Sequence, residues 1–219
     1  MGHRPTLTAR DFLRGSVPES RASRGKPGIR VKLRHKLRAG LLGLALLLAP
    51  VGGYSGMLAY TGNLHPVSEG VLYRSAQLSK QQFADAIEQY QLKSILNLRG
   101  AHSGEDWYED EITAAREAGI EHYDYPMSAK RRLARDQIEP ILEIVRNAPK
   151  PLLIHCRSGA DRSGLVAALF RLAIEHATPE EADRQLSLRY GHFPYLTSKT
   201  GAMDESFWAF AQHPAVPLP

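Results

Sequence analysis

The chain has 219 residues, enough for one domain and an appendage. Its net charge of +5 is unevenly spread: residues 1–38 carry 11 Lys/Arg against Asp11 and Glu19, a balance of +9, whereas residues 61–219 carry 17 Lys/Arg against 21 acids, a balance of −4. The main body is therefore acidic and gives no reason to expect nucleic-acid binding, and a single cysteine, Cys156, rules out an intramolecular disulfide.

In chain order, residues 1–38 mix Arg, Ser, Pro and Gly with few apolar residues and read as a basic disordered tail. From Ala39 to Tyr60 there is no charged residue over 22 positions, and a membrane-spanning helix needs roughly 20. Arg30, Lys32, Arg34, Lys36 and Arg38 crowd its start, and the next Lys or Arg is Arg74. The positive-inside rule then puts the N-terminus in the cytoplasm and the following domain on the exported side, the periplasm if the cell is Gram-negative. A cleaved signal peptide competes, because Leu41–Ala49 has the length of a signal core and Pro50 follows it. No Ala-x-Ala cleavage site follows, and the basic leader is long, so the anchored form is favoured. Residues 61–69 read as a linker and 70–219 as the folded domain.

Within that domain apolar strand-like runs alternate with helical patterns, which predicts an α/β fold. The expected strands are Val71–Arg74, Ser94–Leu98, His122–Tyr125 and Leu152–Ile154. Ser79 with Gln82 forms a capping box for a helix to about Tyr90, and Ser103 with Asp106 caps another that ends before Gly119. Arg135–Asn147 and Arg162–His176 follow. Thr178-Pro179-Glu180-Glu181 opens the last helix, with an N-cap threonine and proline at the first helical position.

The chemistry concentrates in Leu152–Gly164. An apolar strand runs into His155 and Cys156, then five residues, then Arg162 and Ser163 at a helix start. Gly159 lets the loop curl without a Cβ clash, so successive N–H groups can converge on one anion. The helix N-terminus adds donors and partial positive charge, and the planar fork of Arg162 can grip two phosphate oxygens. The same field favours the thiolate of Cys156 and makes it a nucleophile. Substrate contacts then fall to Arg157, Ser158, Gly159, Ala160, Asp161 and Arg162, with Ser163 placed to stabilise the sulfur and His155 to order the loop through backbone hydrogen bonds.

Residues 155–163 resemble the His-Cys-five-residues-Arg-Ser/Thr signature of cysteine-dependent phosphatases, and the stretch from about Gly70 to Trp208 is similar to bacterial members of the dual-specificity or tyrosine phosphatase family. Softer agreement lies in Leu72-Tyr73-Arg74-Ser75, Ile95-Leu96-Asn97-Leu98-Arg99 and Tyr190-Gly191-His192. The resemblance implies a four-stranded, mainly parallel sheet flanked by helices, and hydrolysis of phosphomonoesters through a phospho-cysteine intermediate, with no metal or other cofactor. In that family an aspartate in the loop after the third strand donates the leaving-group proton, but here no carboxylate lies between Asp124 and Asp136. Asp106 and Asp161 are the replacement candidates, with Glu105 behind them. Lys130, Arg131, Arg132 and Arg157 add positive charge around the expected mouth. The expected activity is that of a protein tyrosine or dual-specificity phosphatase. The alternatives are a phosphoinositide or inositol phosphate phosphatase, and a phosphate-binding signalling module with weak turnover.

Overall fold

The computed structural model describes residues 28–212, together with Gly2. The beginning of the basic tail lies outside the described residues. Two compact units divide the chain between Leu48 and Ala49. The first contributes the opening turns of helix α1, Gly28–Tyr60. This helix takes in Gly28–Arg38, which the sequence reading placed in the tail; Leu, Lys and Arg are good helix formers, and no proline interrupts the run before Pro50. Within α1, Arg38–Tyr60 is long and apolar enough to cross a membrane.

The second unit is an α/β domain on a five-stranded sheet of order β1-β2-β5-β3-β4. The strands are β1 His65–Ser68, β2 Leu72–Ser75, β3 Ser94–Asn97, β4 Glu121–Asp124 and β5 Leu152–His155. The last four pair in parallel, and β1 joins the edge antiparallel to β2. Strand β1 corrects the expected four-stranded sheet and lies in the stretch read as linker. Pro66 hides it from a strand reading, yet an edge strand is where a missing N–H is tolerated. The pairing with β2 slips between Pro66 and Ser68.

Three adjacent strands, β2, β5 and β3, are buried along their whole length. Side-chain alternation explains how both faces are filled. Leu72, Leu96, Leu152 and Ile154 point into a core built with α4 (Arg135–Asn147), α5 (Asp161–Ala173) and α7 (Gly201–Ala211). Tyr73, Ile95 and Leu153 point the other way, against α2 (Lys80–Tyr90) and α3 (Asp106–Glu117). The Ser79–Gln82 capping box opens α2 as expected, whereas α3 starts from Glu105 without a side-chain cap. The short α6 is Pro179–Asp183, capped by Thr178. Helix α7 and the 3-10 turn Leu188–Tyr190 were not foreseen.

Because four strands run parallel, their C-terminal ends share one edge of the sheet. The loops after Ser75, Asn97, Asp124 and His155 all leave from that edge, where ligand sites form in parallel α/β sheets.

Candidate active site

Central strand β5 delivers His155 and Cys156 to that edge, and the loop Arg157–Ala160 turns the chain into α5. Gly159 has φ +70, and a Cβ there would lie 2.6 Å from the Ala76 nitrogen and 2.7 Å from the Ser75 carbonyl carbon. Both obstacles are backbone, so only glycine fits this close approach. Cys156 is buried, with its sulfur 3.5 Å from the Ser163 hydroxyl. Burial alone would raise its pKa, but the Arg162 charge, the Ser163 hydroxyl and the amides of Ser163 and Ser158 outweigh it, and the thiol is pulled below its ordinary value. That is the direction in which a thiolate becomes easier to form.

Arg162 is held by two neighbouring loops. Its guanidinium donates to the carbonyls of Leu98, 3.2 Å, and Met127, 3.3 Å, after β3 and β4 respectively. Arg157 and Ser158 are exposed at the loop surface, while Gly159 and Ala160 are buried beneath it.

The loop is braced from behind by residues that the sequence reading did not assign to the site. Arg74 in β2 is fully buried and donates to the carbonyls of Gly159 and Ala160, both at 2.9 Å, and to the Gln185 carbonyl at 2.7 Å. Its guanidinium also lies 4.1 Å from the centre of the Tyr190 ring. Burial lowers its pKa to about 10, so it remains charged at neutral pH. Asn63 donates to the carbonyls of Ser158 and Tyr190, both at 2.9 Å. The available signal was a charged residue inside a short buried strand, Leu72-Tyr73-Arg74-Ser75, quoted for the resemblance alone.

His155 bonds a carboxylate, not backbone as expected. Its Nε2 lies 2.7 Å from Glu111 Oε1, and His122 Nε2 reaches the same oxygen at 2.8 Å. Gln77 donates to the other Glu111 oxygen at 3.0 Å and accepts from Arg99 at 2.8 Å. Burial would raise the Glu111 pKa, but the His155 charge and the hydrogen bonds from His122, His155 and Gln77 bring it down to about 2.

Asp161, at the start of α5, accepts from His192 Nδ1 at 2.7 Å, and Asp204 in α7 sits 2.9 Å from His192 Nε2. Burial would lower the His192 pKa, but the hydrogen bonds and charges of the two carboxylates raise it to about 9. Asp106 is exposed in the first turn of α3 and Glu105 immediately precedes it. The neighbouring Trp107 carries Arg99 3.3 Å from its ring centre. Asp124, at the end of β4, is held by Asn97 at 2.9 Å and Tyr108 at 2.5 Å.

Next to Arg162, through the shared Met127, opens a cleft of about 370 Å³. Arg99, Arg131 and Arg132 line it together with Tyr125, Met127 and Gln137. Lys130 lies exposed on the same loop.

A buried cysteine in a glycine-turned loop at a helix start, with an arginine in the first turn of that helix, defines the class of cysteine-loop phosphatases. Residues 51–181 match the family model described as "Tyrosine phosphatase family", and the chain belongs to that family. The chain is 31% identical over 107 residues to the inositol diphosphatase Siw14 of Saccharomyces cerevisiae, a match covering 47% of this chain and only 37% of that protein. Among solved structures, the core catalytic domain of the Siw14 diphosphoinositol phosphatase, in complex with citrate, is 25% identical with a TM-score of 0.50, covering 68% of this chain and 91% of that one. TpbA of P. aeruginosa shares the fold at 19% identity and a TM-score of 0.51, covering 68% of this chain and 89% of that one.

The His192 bridge has a pH signature. Its folded pKa of about 9 lies above the ordinary 6.5, so the stability it confers is complete below pH 6.5 and is lost as pH rises through 9. We expect thermal unfolding midpoints to fall between those pH values, and His192→Gln to remove that part of the slope. An unchanged slope in the variant would show that His192 is not the titrating group.

Proposed function

We propose that this chain hydrolyses phosphoesters through a phospho-Cys156 intermediate, and that its substrates carry several phosphates, as inositol phosphates and phosphoinositide headgroups do. The Cys156 thiolate attacks phosphorus, and the bond to the leaving oxygen breaks. That oxygen takes a proton from the general acid. Water then attacks the thiophosphate, the S–P bond breaks, and the Ser163 hydroxyl stabilises the returning thiolate while the water proton restores the acid. Arg162 and the loop amides hold the phosphoryl oxygens throughout.

The substrate reading is carried by the cleft beside Arg162. A single phosphoryl group is already served by Arg162 and the loop, so Arg99, Arg131 and Arg132 exceed what a monophosphate needs. The Siw14 similarity points the same way. A phosphotyrosine side chain is the second reading, favoured by Tyr125, Pro126 and Met127, which offer the same cleft an apolar wall.

Among the acid candidates, Asp161 is engaged as an acceptor from a cationic His192, the role of a strut. Asp106 is exposed in the first turn of α3, next in sequence to Trp107, whose ring Arg99 covers, and we assign the proton to it. The helix Arg38–Tyr60 is read as a membrane anchor, oriented with its N-terminus in the cytoplasm and the phosphatase domain exported.

Two substitutions test these roles. Cys156→Ser should abolish turnover while retaining binding of a phosphate ester, since the amides and Arg162 remain; surviving activity would end the cysteine mechanism. Asp106→Asn should lower hydrolysis of alkyl phosphates by about 10²–10⁴-fold and spare activated aryl phosphates, whose leaving groups need no proton. Equal losses on both would remove Asp106 from that role.

The double change Arg131→Ala with Arg132→Ala should raise KM for inositol hexakisphosphate at least about tenfold, since each charge-assisted hydrogen bond contributes roughly 1.5–3 kcal/mol. Turnover of p-nitrophenyl phosphate should hold. A KM unchanged for the polyphosphate would leave phosphotyrosine as the better reading, and binding without turnover of any ester would make the chain a phosphate-binding module.

A further inference from the structure

The second unit carries an apolar surface that its own core does not cover. Leu188 is 60% exposed, Phe193 44%, Tyr195 63% and Leu196 92%. All four fall in one segment, from the 3-10 turn to the residues before α7, and Leu196 holds a left-handed φ of +61. Exposed apolar side chains are ordinary when scattered; four within nine residues are not.

This segment is fastened to the end of α1. The Tyr54 hydroxyl donates to the Arg189 carbonyl at 2.6 Å, and Asn63, just past the helix, donates to the Tyr190 carbonyl at 2.9 Å. A Cβ on Gly191 would lie 3.3 Å from Leu58, the one buried hydrophobic residue in the last turns of α1. Tyr54 stands six residues before the end of α1, about 9 Å back along its axis at 1.5 Å per residue. Residues 189–191 therefore lie beside the helix end, and Leu188 and the Phe193–Leu196 stretch flank them in the chain. The helix end is itself bare: Val51 is 64% exposed, Met57 54% and Tyr60 86%.

We propose that Leu188–Leu196 is a second membrane-contact surface, lying in the interfacial layer beside the exit of α1. The occupant follows from continuity. The apolar side chains of the helix end and of the segment bonded to it belong to one unit, and the inference rests on the reading of Arg38–Tyr60, long and apolar enough to cross a membrane, as an anchor. The composition fits the interface as well: aromatic side chains with a polar edge, leucines, and the cationic Arg189 match what the headgroup boundary selects. The tyrosines Tyr54, Tyr60 and Tyr195 can each keep the hydroxyl wet and the ring in apolar surroundings. The domain is then held on the bilayer at two points, so it cannot swing freely about a single tether.

The test uses the full chain with Cys156→Ser, which removes the native thiol, reconstituted into phosphatidylcholine–phosphatidylglycerol vesicles. A nitrobenzoxadiazole probe is attached at Leu196→Cys, at Tyr195→Cys as a second position, and at Asn147→Cys as control. Asn147 is exposed just before β5, at the opposite edge of the sheet. We expect the probes at 195 and 196 to be quenched by shallow doxyl lipids and severalfold less by aqueous iodide than the probe at 147. Equal iodide quenching at all three positions would overturn the proposal. So would protection from iodide without quenching by lipid, the result expected if a second protein covered the segment.

Discussion

Everything at this site depends on where the carbonyls of the loop after Cys156 are turned. A peptide unit is planar, with C=O and N–H on opposite sides, so fixing one side aims the other. Arg74 takes the carbonyls of Gly159 and Ala160, and Asn63 takes that of Ser158. The amides that follow are thereby left facing away from the brace. A buried guanidinium without acceptors would cost several kcal/mol, so Arg74 and the loop stabilise each other's geometry. Gly159 is what allows the backbone to come so close to Ser75 and Ala76.

Two buried hubs support this arrangement from opposite sides. Beneath β5, the Glu111 carboxylate gathers His155, His122 and Gln77, and through Gln77 reaches Arg99 in the cleft. Beyond the loop, the His192 imidazolium ties Asp161 to Asp204 and so fastens the start of α5 to α7. In each hub burial opposes the charged form and the hydrogen bonds win. That balance holds only if all partners are present at once, which is the condition for a buried polar network to be stable. Cys156 therefore sits between two charged clusters whose positions are set by packing, and a fixed field pulls its thiol below the ordinary value.

The part of this that sequence could reveal was the part written in consecutive residues. The phosphate loop is nine contiguous positions, and its strand and helix came with it. Strands β2 to β5 and the capped helices α2 and α6 followed from alternation and caps, since those signals are local. What stayed hidden was brought together by topology. Arg74, Gln77, Glu111 and His192 meet the signature residues across separations of tens of residues; Gln77 and Glu111 taken alone resemble ordinary surface residues, and Arg74 and His192 showed only as parts of the softer agreement, with no role attached. The fifth strand was missed because Pro66 argues against a strand, and only the position of β1 at the sheet edge removes the objection. Helix α7 was missed because its start has no side-chain cap, and the irregular stretch before it offers no boundary. The bonding of His155 to Glu111 instead of backbone was equally unreadable, because α3 lies 44 residues away in the chain.

The residues that end α1 belong to the same construction. A flexible tether would leave its backbone to solvent, but here the Gly62 carbonyl accepts from Ala76 at 2.7 Å and the Asn63 side chain holds the phosphate loop. Gly62 itself takes a left-handed φ of +65, and a Cβ there would meet Leu78 at 2.3 Å. The junction is thus as closely fitted as the loop it supports. A chain that needed only to be attached to a membrane could use any polar spacer of similar length. Here the residues just past the helix, Gly62 and Asn63, are bonded to Ala76 and to the loop after Cys156, so the helix end and the geometry of that loop are coupled.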